Sequence, residues 1–362
     1  MANYHRHDAA GPQRTSDGTT VTFRSLHADL DALRASAPAG IVDSGVTTVG
    51  RSEQGRELWA IRIGRNPAVP VLIAGCHHAR EWISVEIPYL FAEFLVRSYD
   101  TDPTVRRLVD SRDIWVVPMI NPDGHEHTVL HNRMWRKNFP TAAGRQKVDL
   151  NRNYDTAFWN TPRGQFSDDP SSQLFRGRSS GYAREVRAMQ DLIRTQRFRA
   201  TLDFHSFGRF VLFPWSGRTA APPDAAQDAM ATRLEAALDG RIAGVDYQRA
   251  QASSLYAILN GAAPADAVVP GGMMDYVVER VAGSIAITVE LEPASNDPRG
   301  FNLPDTEIQP TFDLLKRAML TFLNCMESIR TPPATRSLPL APDVDNPVVV
   351  LRTECAAAFA GY

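Results

Sequence analysis

Residues 71–99 read VLIAGCHHAREWISVEIPYLFAEFLVRSY. The run that ends at Gly75 is continuously apolar and rich in β-branched residues, as a strand buried on both faces requires, and from Ile87 the spacing turns helical. Beyond it DIWVVPMIN, starting at Asp113, is a second run of the first kind. A buried strand, a helix and another buried strand make a crossover unit.

The same alternation extends outward. Leu26, Leu30 and Leu33 recur at helical spacing in FRSLHADLDALRASAP and stop at Pro38-Ala39-Gly40. IVDSGVTTVG and ELWAIRIG read as strands joined by RSEQGR. The helix AREVRAMQDLIRTQ precedes the short run ATLDFHSF, and the buried strand SIAITVELEP precedes the long helix TFDLLKRAMLTFLNCMESI. The expected architecture is a three-layer α/β/α sandwich with a mixed, mainly parallel central sheet. Residues 1–20 are polar and suggest a loose leader, 21–330 one catalytic domain, and 331–362 a Pro-rich tail that lies over the surface as a strap or adds an edge strand.

Of the 362 residues, 43% are apolar and 22% charged, with a net charge of −2 and no long like-charge runs, so neither nucleic acid nor an anionic membrane is an expected partner. Cys76, Cys325 and Cys355 are too few and too scattered for a disulfide framework. With no apolar signal region near the N-terminus, the expected location is cytoplasmic.

Polar clusters fall at strand ends, where sites collect in α/β sheets. HHARE follows VLIAG, NPDG follows VVPMI, HSF follows ATLDF, and Glu290 lies within SIAITVELEP. His78 and Glu81 form H-x-x-E, two ligands of the kind a catalytic zinc takes, with room for a third from elsewhere. His205, which closes an apolar strand, is the favoured third; His125, His127 and His131 share one polar loop. His77 faces away from the metal, because successive side chains of an extended segment point to opposite sides. Cys76 is read as a buried, inert thiol, and His5 and His7 as leader residues that bind metal only adventitiously.

Taken together these segments resemble the zinc metallocarboxypeptidases of the carboxypeptidase A type. HAREW (78–82) and DFHSF (203–207) are similar to the family's zinc motifs, implying His78, Glu81 and His205 around one Zn2+ per chain. NRMWRKN (132–138) resembles the loop whose arginine, here Arg136, polarises the scissile carbonyl. VDLNRNYD (148–155) resembles the segment that binds a free C-terminal carboxylate, implying Asn151 and Arg152, with Asp149 as the acceptor that orients a ligand histidine. TVELEP implies Glu290 as general base. Arg80 corresponds to a residue that contacts substrate further from the cleaved bond, or it braces the zinc loop.

The resemblance weakens between QASSLY and GGMMDY, where AILNGAAPADAVVP (257–270) makes the segment longer than in the family. Tyr256 is the candidate for the family's mobile tyrosine, and Met274 occupies the position that marks specificity, suggesting apolar or aromatic C-terminal residues; Asp266, inside the insertion, is the alternative pocket residue. The implied activity is zinc-dependent removal of one C-terminal residue from a peptide with a free carboxylate. Two rivals stand beside it: the same chemistry on a non-standard amide, such as a peptidoglycan stem, an isopeptide or an acyl amino acid, and a non-catalytic zinc domain that binds peptides.

Overall fold

The computed structural model describes residues 3–43, 45–64, 66–222, 224–239 and 246–326. The Pro-rich tail, with its strap or edge strand, lies outside them. Strands β1 (His5–Arg6) and β2 (Gly11–Arg14) flank β3 (Thr20–Ser25), and α1 (Leu26–Ser36) follows at once, its first turn capped by Ser25, which accepts from the Ala28 N–H. Next come β4 (Thr47–Arg51), β5 (Glu57–Gly64), β6 (Pro70–Gly75), α2 (Ile83–Ser98), α3 (Pro103–Asp110), β7 (Asp113–Val117) and α4 (Pro122–Leu130). The second half contains α5 (Arg184–Gln196), β8 (Ala200–Gly208), β9 (Phe210–Phe213), α6 (Ala225–Leu238), β10 (Gln248–Gln251), α7 (Leu255–Asn260), α8 (Pro264–Ala267), α9 (Met273–Arg280), β11 (Ile285–Ala294) and α10 (Ile308–Cys325).

Eight strands form one sheet in the order β10-β9-β11-β8-β6-β7-β5-β4. Its centre, β11-β8-β6-β7, is parallel throughout; β5 runs antiparallel to β7, β4 to β5, and β9 to β11. The period-two alternation divides each central strand between two cores. Val71 and Ile73 of β6 pack with residues of α1, α2, α6 and α10, whereas Leu72 and Ala74 pack with residues of α5 and α9. That is the expected sandwich, with both sheet faces covered. Each fully buried Val, Leu or Ile side chain contributes roughly 1.5–3 kcal/mol, which is why the central runs contain so little that is polar until they reach their carboxyl ends.

Helix α2 starts at Ile83, a turn before the helical spacing becomes visible in the sequence. Pro88 lies inside it and donates no hydrogen bond to the Ser84 carbonyl. That carbonyl turns toward β6: a Cβ on Gly75 would sit 2.0 Å from Ser84 O, so only glycine lets helix and strand approach this closely. Helix α4 occupies the segment expected to be a polar loop. Asn121 accepts from the Gly124 N–H and Pro122 opens the helix. His125 is buried, and the His127 ring stacks 3.8 Å from that of Phe139.

The leader is not loose. Tyr4, His5 and His7 are buried, and β1 and β2 are hydrogen-bonded to β3. His5 Nδ1 lies 2.6 Å from Glu86 of α2 and its Nε2 2.9 Å from Asp29 of α1. Polar composition hid this, because the segment is held by paired polar groups and not by an apolar stripe. Burial alone would lower the His5 pKa, but the Glu86 charge and the two carboxylate bonds override it and raise it to about 9. A group raised this way stabilises the fold fully below its unfolded value, and the contribution disappears as pH climbs through the folded value. The zinc-loaded protein should therefore lose more stability between pH 6.5 and 9.5 than His5→Gln, by a difference on the order of 1–3 kcal/mol, read as a steeper fall in melting temperature. Parallel melting curves for the two proteins would remove His5 from this role.

Candidate metal centre and substrate pocket

β6 delivers the first motif. After Gly75 the chain turns through Cys76, whose φ is 58°, and a hydrogen bond from Asn121 N to Cys76 O ties the turn to the start of α4. Glu81 N donates to His78 O, so His78 and Glu81 share one side of a tight turn. β8 delivers His205, and β11 sets Glu290 directly beside it in register.

The three groups converge. His78 Nδ1 lies 2.8 Å from Glu81 Oε1 and 3.1 Å from His205 Nδ1, which is itself 3.2 Å from Glu81 Oε2. Both outer nitrogens face carboxylates: His205 Nε2 is 3.0 Å from Asp203 Oδ2, and His78 Nε2 is 3.2 Å from Asp149 Oδ1, the latter off the line of a good hydrogen bond. A carboxylate accepts and does not donate, so each ring carries its proton on Nε2 and turns the Nδ1 lone pair inward. Two imidazole lone pairs and a carboxylate aimed at one point repel each other unless a cation lies among them. Burial would lower the His205 pKa, but Asp203 and Glu81 hold it well above its ordinary value, whereas burial and Arg136 lower that of His78. Two neutral imidazoles and one carboxylate are a donor set that zinc takes, with coordination left open for water.

Asp149 is fully buried and does three things. It accepts from the Asn151 N–H, faces His78 and accepts from Arg136 Nε at 2.8 Å. Burial would raise its pKa, but Arg136, Arg152 and His78 hold it well below the usual carboxylate range. Glu290 opens onto the pocket yet sits beneath the protein surface. Burial and, among its neighbouring charges, Glu81 push its pKa up to about 7, against the pull of His205 and Arg136.

One pocket holds His78, Glu81, Arg80, Arg136, Asn151, Arg152, Tyr256, Met274 and Glu290 in its lining. Arg152 is buried, with Nε donating to Gln165 O and a terminal nitrogen to Asn151 O. The chain beside it must be glycine: Gly271 has φ 74°, and a Cβ there would meet Arg152 O at 2.3 Å. Asn151 Oδ1 accepts from Met273 N, fastening this segment to the start of α9. Arg80 lines the pocket and also braces the loop, donating to Met134 O and lying 4.2 Å over the Phe301 ring. Asp266 lies outside the pocket lining, with its carboxylate 3.9 Å from Arg163. Met274 is buried in the wall, and its neighbour Asp275 points elsewhere, accepting from the Ser216 and Gly217 N–H groups.

The sequence reading missed Asp203. Two residues before His205 on one strand, it necessarily shares that residue's face, a signal available from spacing alone. It also missed the part played by His77. That side chain does not belong with His78 and Glu81, but neither is it idle, since its ring stacks 5.3 Å from that of His205 and its Nε2 is 2.8 Å from Tyr154 Oη. His77, Asp203 and His205 also lie within ligating reach of one another, although neither His77 nor Asp203 lines the pocket.

Comparison with known proteins identifies the family. The family model described as zinc carboxypeptidase matches residues 27–317. The chain belongs to the zinc carboxypeptidases. It is 30% identical to metallocarboxypeptidase A of Arthroderma otae, over 75% of this chain and 62% of that protein, and 32% identical to that of Trichophyton tonsurans, over 72% and 61%. The chain thus matches about three fifths of the length of these fungal relatives. Mouse carboxypeptidase A2 is 27% identical over 92% of this chain and 77% of its own. Among solved structures, the bovine thrombin-activatable fibrinolysis inhibitor in complex with tick carboxypeptidase inhibitor superposes with a TM-score of 0.72 at 23% identity, over 83% of this chain and 95% of that one. Carboxypeptidase A from Helicoverpa armigera gives 0.68 at 25%, over 80% and 69%. The solved structures share its fold, the expected α/β/α sandwich.

Proposed function

We propose that the chain is a zinc-dependent exopeptidase that hydrolyses the C-terminal peptide bond of peptides, with the unit from β1 through α10 as its catalytic body. The observation that carries this reading is the meeting, in one pocket, of His78 and Glu81, whose donor set His205 completes from the pocket floor's inner side, with Glu290 and Arg152. Zinc held by those three side chains supplies a Lewis acid and lowers the pKa of a bound water to about 7.

The chain's own residues then divide the remaining tasks. Glu290, with a pKa lifted toward neutrality, accepts the proton of the attacking water and returns it to the leaving amine. Arg136, anchored by Asp149, offers its guanidinium to the developing oxyanion. Arg152, assisted by Asn151, reads the free carboxylate, whose planar geometry suits a guanidinium fork. Tyr256 on α7 closes over the bound residue, and Arg80 meets the peptide further from the cleaved bond.

Leu212, Leu255, Val269 and Met274 give the pocket an apolar wall. They support a preference for apolar or aromatic C-terminal residues. Among the described residues no helix is long and apolar enough to cross a membrane; three scattered cysteines with no disulfide framework add support to the cytoplasmic placement.

A panel of peptides with varied C-terminal residues, assayed with zinc and with a chelator, tests the reading. Zinc-dependent release of single residues is expected, with Phe or Leu released faster than Lys, Arg or Asp. Absence of release from every peptide would overturn it.

A further inference from the structure

Behind the metal centre, buried side chains connect in a line away from the pocket. His205 Nε2 meets Asp203 Oδ2 at 3.0 Å, and His77 Nδ1 approaches the same oxygen at 3.3 Å, off the axis of a linear hydrogen bond. His77 Nε2 is 2.8 Å from Tyr154 Oη. Each of the four residues is at most 2% exposed.

Donor and acceptor logic gives the line a direction. Asp203 can only accept, so His205 presents Nε2–H to it and His77 presents Nδ1–H. The neutral His77 ring then has a lone pair on Nε2, and the Tyr154 hydroxyl donates to it. The other Asp203 oxygen, Oδ1, has no hydrogen-bond partner among the described residues. One oxygen of a buried carboxylate therefore receives both imidazoles. Without His77 that carboxylate would keep a single side-chain partner in a dry interior, where an under-partnered charge is costly and has reason to move.

We infer that His77 is a positioning residue for the metal: by turning its Nδ1–H toward Asp203 from behind, and being held in turn by Tyr154, it keeps Asp203 fixed against His205, so that His205 Nδ1 stays aimed at zinc. The inference rests on the zinc reading and extends it from the ligands to the residues that aim them. Outer partners of ligand histidines typically contribute 10- to 100-fold in metal affinity.

The test measures zinc affinity of the full chain by competition with a chromophoric chelator, beginning from metal-stripped protein. His77→Phe keeps a ring and removes both nitrogens; about 10- to 100-fold weaker zinc binding is expected. His77→Asn places an N–H near the position of Nδ1 and should recover most of that loss. His77→Gln places its amide near Nε2, toward Tyr154, and should not. The visible absorption of cobalt-substituted protein should shift in the Phe variant and return in the Asn variant, while melting of the metal-free proteins reports folding separately. Should His77→Phe fail to fold, the contrast between Asn and Gln still decides. Wild-type affinity in the Phe variant, or equal recovery by Asn and Gln, would overturn the inference. A wild-type protein that takes up no zinc would instead remove the reading on which it rests.

Discussion

Glu290→Gln should retain its zinc and lose turnover, with kcat falling by about 100- to 10,000-fold, the usual contribution of a positioned general base. The substitution keeps the volume of the side chain and removes its basicity. Register explains why the loss should be confined to chemistry: Glu290 pairs with His205 across parallel neighbours, which sets the two side chains side by side on one face. It takes no part in the His78, Glu81 and His205 set, so metal content should be unchanged. Burial and the Glu81 charge lift its pKa to about 7, and the amide relieves that cost, so melting temperature should hold or rise. Metal analysis beside steady-state kinetics checks both halves. Undiminished kcat would remove Glu290 as the base; loss of zinc together with turnover would make it a structural partner of the centre.

The central sheet was readable because its residues obey a single requirement. β6, β7, β8 and β11 are buried on both faces, and a strand buried on both faces has to be apolar throughout. Glu290 and His205 stand out in such runs because burying a polar or charged group there is costly unless something uses it. The N-terminal segment was misjudged for the complementary reason. His5 is held by Glu86 and Asp29, partners that are distant in sequence, and nothing local announces them. The histidines after Asn121 were misplaced because polar residues on a helix packed against the zinc loop look like a loop when its surroundings are unknown. His77 shows a third kind of difficulty. Alternation correctly separates it from His78, but alternation cannot say what waits on the other side, and Asp203 and Tyr154 arrive there from other parts of the chain.

Arg152→Met should lower kcat/KM on a peptide with a free C-terminus by about 30- to 5000-fold, the range that 2–5 kcal/mol implies for truncating one partner of a buried charge pair. Three guanidiniums line the pocket, and the geometry ranks them for this task. Arg136 is bound to Asp149 at 2.8 Å, and Arg80 is spread over Phe301. Arg152 spends its Nε and one terminal nitrogen on carbonyl oxygens, keeping its charge without a close carboxylate; the nearest, Asp149, is 3.9 Å away. A buried cation whose one counter-ion stands off at 3.9 Å and is shared with Arg136 is suited to a ligand that brings a closer one. The wild-type protein should therefore discriminate strongly between a peptide acid and the same peptide amidated at its C-terminus, whereas the Met variant should treat the two alike. This comparison isolates the role, since a general loss of structure would slow both substrates and leave their ratio unchanged. If the Met variant still prefers the free acid by the wild-type factor, Arg80 or Arg136 recognises the carboxylate, and Arg152 serves only to hold the Asn151 segment against α9.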